Sequence, residues 1–247
     1  MSNTGRLGVG LIGDHPSGAV IAHALGAAGH QLVGRGVPQE DRMEQVDVLL
    51  PGVPVLDLAD IVRRSELIVL AATGEALSTL IAQISQLGAG QAGQLVAHLS
   101  SDHGVDILSP LSNQGLIPLR LFPMVPLTGT SLDLSRLKGA WCAVSAPTPV
   151  LPIAKALSIE MGMEPLVVSS EQTHAFSSVV ETLQAASMGF IKDAVDALEE
   201  AGLEGVAPAI SSLAKAAVDG ALRERSTHGD LLGEAADLLS DAGLDDD

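Results

Sequence analysis

Apolar residues come in short unbroken runs through the first two thirds of the chain and in a helical rhythm through the last third. Residues 7–12 make a run that suits a strand buried on both faces. Residues 13–17 read as a turn. In 18–28, Val20, Ile21, Ala24, Leu25 and Ala28 share one helical face, and Gly29 is the stop. A second strand is predicted over 31–34. Strand, glycine turn, helix and strand within about 30 residues make a βαβ unit. Polar residues 35–45 read as loop, and 46–50 and 53–56 as short extended pieces around the Pro51-Gly52 turn. Further strands are predicted at 67–71, 94–99, 117–121, 141–144 and 166–168. Helices are predicted at 58–64 with Asp57 as cap, at 75–87 capped by Thr73, and from Asp102 to near Pro110. Another is predicted between Thr148 as cap and Gly162 as stop, with Pro149 at its first position.

The pattern changes after Val168. Ser169 and Gln172 have the spacing of a capping box, and a helical period then runs through Glu200 to Gly202. A second helix is predicted from Pro208 to near Arg225, and a third over 230–242. The expected fold class is α/β: a Rossmann-type, mostly parallel sheet in residues 1–168 as a nucleotide-binding domain, then an all-helical C-terminal domain in 169–247.

Composition sharpens this picture. Hydrophobic residues make up 47% of the 247, but there is no tyrosine, one tryptophan and three phenylalanines, so the core must be aliphatic. The net charge of -17 repels nucleic acid and anionic lipid, which excludes both as general partners. The acidic residues 244–247 read as a solvated end. Cys142 is the only cysteine, so an intrachain disulfide and a cysteine-based zinc cluster are excluded; within its apolar stretch it reads as a small buried hydrophobe. Histidine and carboxylate spacing suggests no metal site. The polar residues 1–6 carry no apolar signal core, and no apolar run reaches membrane-spanning length, so a cytoplasmic location is expected.

A literal G-x-G-x-x-G match falls on Gly8, Gly10 and Gly13, but it would put strand residues in the loop. The register that sets a glycine turn between strand and helix is Gly13-Asp14-His15-Pro16-Ser17-Gly18. Gly13 makes the tight turn and Gly18 lets the helix pack on the strand. His15 stands where a glycine normally lets backbone approach a diphosphate. Two readings follow. The imidazole hydrogen-bonds a phosphate, assisted by Ser17 and the amides of the helix start, or the turn survives as architecture and binds no dinucleotide. After the second strand comes Arg35 in place of the acid that binds the ribose of NAD. Arg35 suits a 2′-phosphate and favours NADP over NAD if either binds; the other reading is an exposed arginine on a loop. Ala72 and Thr73, after the strand at 67–71, complete the expected cofactor-binding set.

The candidates for chemistry are His98, at the end of a predicted strand, Ser100 just beyond it, and His174 on the first turn of the long helix. His98 can relay a proton to a reducible carbonyl or imine with Ser100 as hydrogen-bond donor, or it can be a structural histidine bonded to backbone. His174 can face a cleft or simply start a helix. His23, His30 and His103 read as structural or solvated.

Several segments together resemble a family of candidate oxidoreductases that join a Rossmann-like domain to a helical C-terminal domain of unknown function. The family is distantly similar to pyrroline-5-carboxylate reductase, deazaflavin-dependent NADP reductase and 6-phosphogluconate dehydrogenase. The segments are GVGLIGDHPSGAVIAHALGAAG from Gly8, LPGVPVLDLADIV from Leu50, HLSSDHGVDILSP from His98, FPMVPLTGT from Phe122, and the His174-Ala175 start of the long helix. The chain departs from the family pattern at His15, at Thr73-Gly74-Glu75, at Leu99 and Ser101, at Phe122 where a histidine is usual, and at Glu181-Thr182. The resemblance implies an NADP-dependent oxidoreductase acting on a small molecule in an interdomain cleft. The departures keep open a catalytically silent Rossmann protein that binds a nucleotide, metabolite or protein partner. A homodimer is also expected, because apolar residues on 171–201 such as Val179, Leu183, Met188, Phe190 and Ile191 wrap much of the helix circumference.

Overall fold

The computed structural model describes residues 6–241, with side chains as far as Glu224. The predicted acidic end and the last residue of the predicted third helix lie outside the described residues, as does most of the polar N-terminus. Seven strands form one sheet: β1 (Gly8–Ile12), β2 (Gln31–Arg35), β3 (Leu67–Leu70), β4 (Leu95–His98), β5 (Ile117–Pro123), β6 (Trp141–Ser145) and β7 (Glu164–Val167). Their order is β2-β1-β3-β4-β5-β6-β7. Every pairing is parallel except β5 with β6. The chain turns from one side of β1 to the other between β2 and β3, so the crevice at the carboxyl ends of β1 and β3 is the switch point where such sheets bind ligands.

Helices cover both faces. The alternation along β3 shows the division: Leu67 and Val69 join the core under α1 (Pro16–Ala27) and α7 (Leu151–Glu160), while Ile68 and Leu70 join the core under α3 (Leu58–Arg64) and α4 (Gly74–Leu87). Gly13 has φ of 98°, and a Cβ there would collide with the carbonyl of Ala71. A Cβ at Gly18 would collide with that of Ala71, so α1 lies as close to β3 as backbones allow. Gly8 and Gly10 lie inside β1, as the chosen turn register requires.

Several predicted elements differ. Residues 46–50 are not extended: a short 3-10 turn leads into α2 (Met43–Leu49). Val46 and Leu49 pack inward while Val48 is exposed, which is helical spacing. Asp102 starts no helix; a 3-10 turn (Val105–Leu108) leads into α5 (Ser109–Ser112). Thr148 opens a 3-10 turn rather than capping α7. The short α6 (Asp133–Leu137) precedes β6. Beyond β7, the capping box forms as predicted at α8 (Ser170–Glu200): Ser169 N donates to Gln172 Oε1 at 3.0 Å and Gln172 N to Ser169 Oγ at 3.3 Å. The helices predicted from Pro208 and Asp230 are one, α9 (Ala207–Asp241), because Ser226–Gly229 disfavour a helix by less than a proline would. Contacts divide the chain into two compact units, one ending at Glu181 and one beginning at Thr182. Among the described residues no helix is long and apolar enough to cross a membrane.

Candidate functional site

At the end of β1, His15 N donates to Ala71 O at 3.0 Å, tying the glycine turn to β3. Pro16 begins α1, where its missing N–H costs nothing. His15 is the N-cap. Its Nδ1 accepts from Ser17 N at 3.3 Å and lies 2.8 Å from Ser17 Oγ, and its carbonyl accepts from Gly18 N at 2.9 Å. An Nδ1 that accepts a backbone N–H carries no proton, so the neutral ring holds its proton on Nε2. Burial, then the charge of Arg42, lowers the His15 pKa below its ordinary value, so the ring is neutral at pH 7. Two amides of the helix start are thus spent on His15.

Arg35 closes β2, 6% exposed and far from a loop arginine. Its Nη2 bonds Asp47 of α2, while Nε and Nη1 are buried without a hydrogen-bond partner among the described residues. Arg35 also lines a narrow cavity shared with Gly13, Asp14, His15, Pro16, Arg42 and Gly129. The room is about 20 Å³, enough for one or two water-sized groups. Arg42 donates to Asp14 O at 2.7 Å, so a second guanidinium borders the turn. Ala72 is buried beside the crevice. Thr73 holds the N-cap position of α4, but its side chain makes no capping bond; Gly74 N donates instead to Asp102 Oδ2 at 2.9 Å.

Asp102 lies on the loop after β4, and its other oxygen accepts from the Ser100 hydroxyl. Beneath that loop, His98 is fully buried. Its Nδ1 accepts from Ser100 N at 3.3 Å, and its Nε2–H donates to Gly104 O at 3.1 Å. Burial and the neighbouring Arg120 charge push its pKa down to about 3. Both ring nitrogens are therefore committed to backbone and the ring stays neutral. Arg120 is the direct cross-strand partner of His98, and Ser145 that of Arg120, which sets three polar residues in one row of the sheet. Arg120 is fully buried with no ion pair among the described residues. It donates to Ser100 O at 3.2 Å and Ser101 O at 2.9 Å, and its guanidinium carbon lies 5.8 and 5.1 Å from the rings of Phe122 and Phe176. Ser177 of α8 donates to the same Ser101 carbonyl at 2.5 Å.

Above the loop opens a broad cavity of about 750 Å³, walled by Asp102, His103, Asp106, His174, Ser177 and Glu181 among others. His174 thus stands on a cavity wall, while His98 and Ser100 lie under the floor. Among the described residues no three His, Cys, Asp or Glu side chains could hold a metal ion. Cys142 is buried, and desolvation pushes its thiol up to about 12. His23 bonds Leu49 O and His30 bonds both Leu7 N and Glu160, so each serves the fold.

Residues 2–123 match the family model of a Rossmann-like domain. This segment is a Rossmann-like domain. No curated protein sequence matches the chain. Solved structures match in fold. A candidate NADP oxidoreductase from Bacteroides fragilis is 16% identical, with a TM-score of 0.69 over 96% of this chain and 92% of that one. An imine reductase from a Pseudomonas species is 15% identical, with a TM-score of 0.64 over 93% and 78%. A 1-pyrroline-5-carboxylate reductase from Streptococcus pyogenes is 14% identical, with a TM-score of 0.63 over 89% and 80%.

The Rossmann-like domain holds three polar residues that the sequence did not single out: Arg42, Asp102 and Arg120. Arg42 reaches the glycine turn from a stretch read as loop. Asp102 was read as a helix start, and a carboxylate two residues from Ser100 gives no sign that it will bridge to Gly74. Arg120 interrupts the apolar run of β5 (Ile-Pro-Leu-Arg-Leu-Phe-Pro), and that interruption was the available signal.

Proposed function

We propose that the protein is an NADP-dependent oxidoreductase acting on a small molecule. The observation that supports this most is Arg35: a nearly buried guanidinium at the end of β2, beside the glycine turn and bordering the narrow cavity there, with Nε and Nη1 unpartnered among the described residues. Buried N–H groups without partners are costly, and a phosphate oxygen is the acceptor that suits them. In this reading Arg35 and Arg42 hold the 2′-phosphate. Gly13, Asp14, His15, Pro16, Ser17 and Gly18 face the diphosphate, with His15 donating from Nε2, and Ala72 and Thr73 flank the crevice beyond. A bound nicotinamide would supply or accept a hydride. His174 is assigned to substrate contact from the cavity wall. His98 and Ser100 act by holding the loop that floors that cavity. The neighbours' names, an NADP oxidoreductase and two reductases, fit the same chemistry. Residues 1–168 form the nucleotide-binding domain and 169–247 the helical one, and the protein works in the cytoplasm as a homodimer.

One observation favours the second reading, a silent nucleotide- or metabolite-binding protein: His98 and Ser100 already spend their polar groups on Gly104, Ser100 N and Asp102. Charge reversal tests the first. Arg35→Glu should weaken NADPH at least tenfold while sparing NADH, as one charged hydrogen-bond pair is worth about 1.5–3 kcal/mol. Equal effects on the two cofactors would reject the assignment. Tight NADPH binding with no turnover of carbonyl or imine substrates would favour the silent reading.

A further inference from the structure

A guanidinium has two edges on which paired N–H groups run parallel, Nε with Nη2 and Nη1 with Nη2, and a phosphate or carboxylate grips one such edge. Nη2 belongs to both. In this structure Nη2 of Arg35 is the nitrogen bonded to Asp47, while Nε and Nη1 have no partner among the described residues. Asp47 comes from α2, twelve residues along the chain, and its side chain is 58% exposed against 7% for that of Arg35. The protein therefore carries a carboxylate at the end of β2 after all. It arrives from the next helix rather than from the strand end, where the sequence shows only Arg35.

We propose that Asp47 is a specificity-determining residue that narrows the preference of this site for NADP over NAD. The inference rests on the NADP reading above. A 2′-phosphate that takes either forked edge of Arg35 must displace Asp47 or lie beside its like charge, and both oppose NADPH. A ribose 2′-hydroxyl can donate to the solvent-facing oxygen of Asp47 without disturbing the pair, which favours NADH. The same ion pair that keeps Arg35 oriented when no cofactor is bound thus acts as an internal rival of the 2′-phosphate.

Affinities of NADPH and NADH, read by cofactor fluorescence for the unmodified protein, Asp47→Asn and Asp47→Glu, test this. Asp47→Asn should tighten NADPH and weaken NADH, raising their affinity ratio roughly two- to fivefold, the weight of one partly solvated charge. Asp47→Glu, which keeps the charge, should stay near the unmodified ratio. An unchanged or lowered ratio in Asp47→Asn, with native circular dichroism, would reduce Asp47 to a clamp between α2 and β2 and overturn the proposal while leaving the NADP reading intact. Failure of the unmodified protein to bind either dinucleotide would overturn both.

Discussion

His98 and Arg120 occupy adjacent strands where apolar side chains would otherwise meet, and the pair has measurable consequences. His98 has a folded pKa of about 3 against an ordinary 6.5. Below 6.5 the unfolded chain takes up a proton that the folded chain refuses, so stability falls as pH drops from there toward 3, by at most about 1.4 kcal/mol per unit. His98→Gln, which keeps an acceptor and a donor but cannot titrate, should flatten melting temperature between pH 6 and pH 4; an equally steep profile would show that other groups set the acid limb. Arg120→Met keeps the bulk and strands the carbonyls of Ser100 and Ser101. It should cost roughly 2–4 kcal/mol by urea denaturation, and a change under 0.5 kcal/mol would mean that water serves those carbonyls as well. At the turn, His15→Gly removes both the α1 cap and the Nε2–H. Weaker dinucleotide binding, by about tenfold, is expected; tighter binding would show that the ring obstructs the diphosphate.

Among the elements, the contact of α1 with β1 and β3 builds the crevice. Gly18→Val would drive a branched side chain against Ala71 and Leu11. It should cost about 1–3 kcal/mol and weaken dinucleotide binding together with stability; a stable variant with unchanged binding would mean that α1 can shift without harm to the site. The helix start and the crevice were legible in sequence because each depends on neighbours along the chain: a glycine with positive φ, a proline at the first turn, a run of buried aliphatics. Most strands were legible for the same reason. What could not be read depends on residues brought together from afar. Arg35 on a loop and Arg35 at a buried strand end look alike in sequence, and Asp47 meets it only because residues 43–49 form a helix where the sequence pattern suggests loop and a short extended piece. Likewise the sequence leaves His98 open between a proton relay and a structural histidine bonded to backbone. Only the turn of the 99–104 loop, which brings Ser100 N and Gly104 O onto its ring, decides the geometry.

For the whole molecule, the helical part presents more apolar surface than an isolated unit should. Met188 and Phe190 of α8 are 74% and 77% exposed, and Leu183, Leu213 and Val218 are exposed as well. A second copy is the proposed cover. Sedimentation at micromolar concentration should give about twice the 25.2 kDa of one chain, and Ile191→Asp should return a folded monomer; a single-chain mass for the unmodified protein would reject the dimer. With a net charge of -17, the proposed polyanionic cofactor would be drawn in against the overall field, so in this account its binding comes from local cations, chiefly Arg35 and Arg42. Calorimetric titration of the unmodified protein with NADPH and with NADH at one salt concentration tests that most directly. Saturable binding at one site per chain, tighter for NADPH than for NADH, is the expected result, and equal affinities or no heat from either cofactor would contradict it.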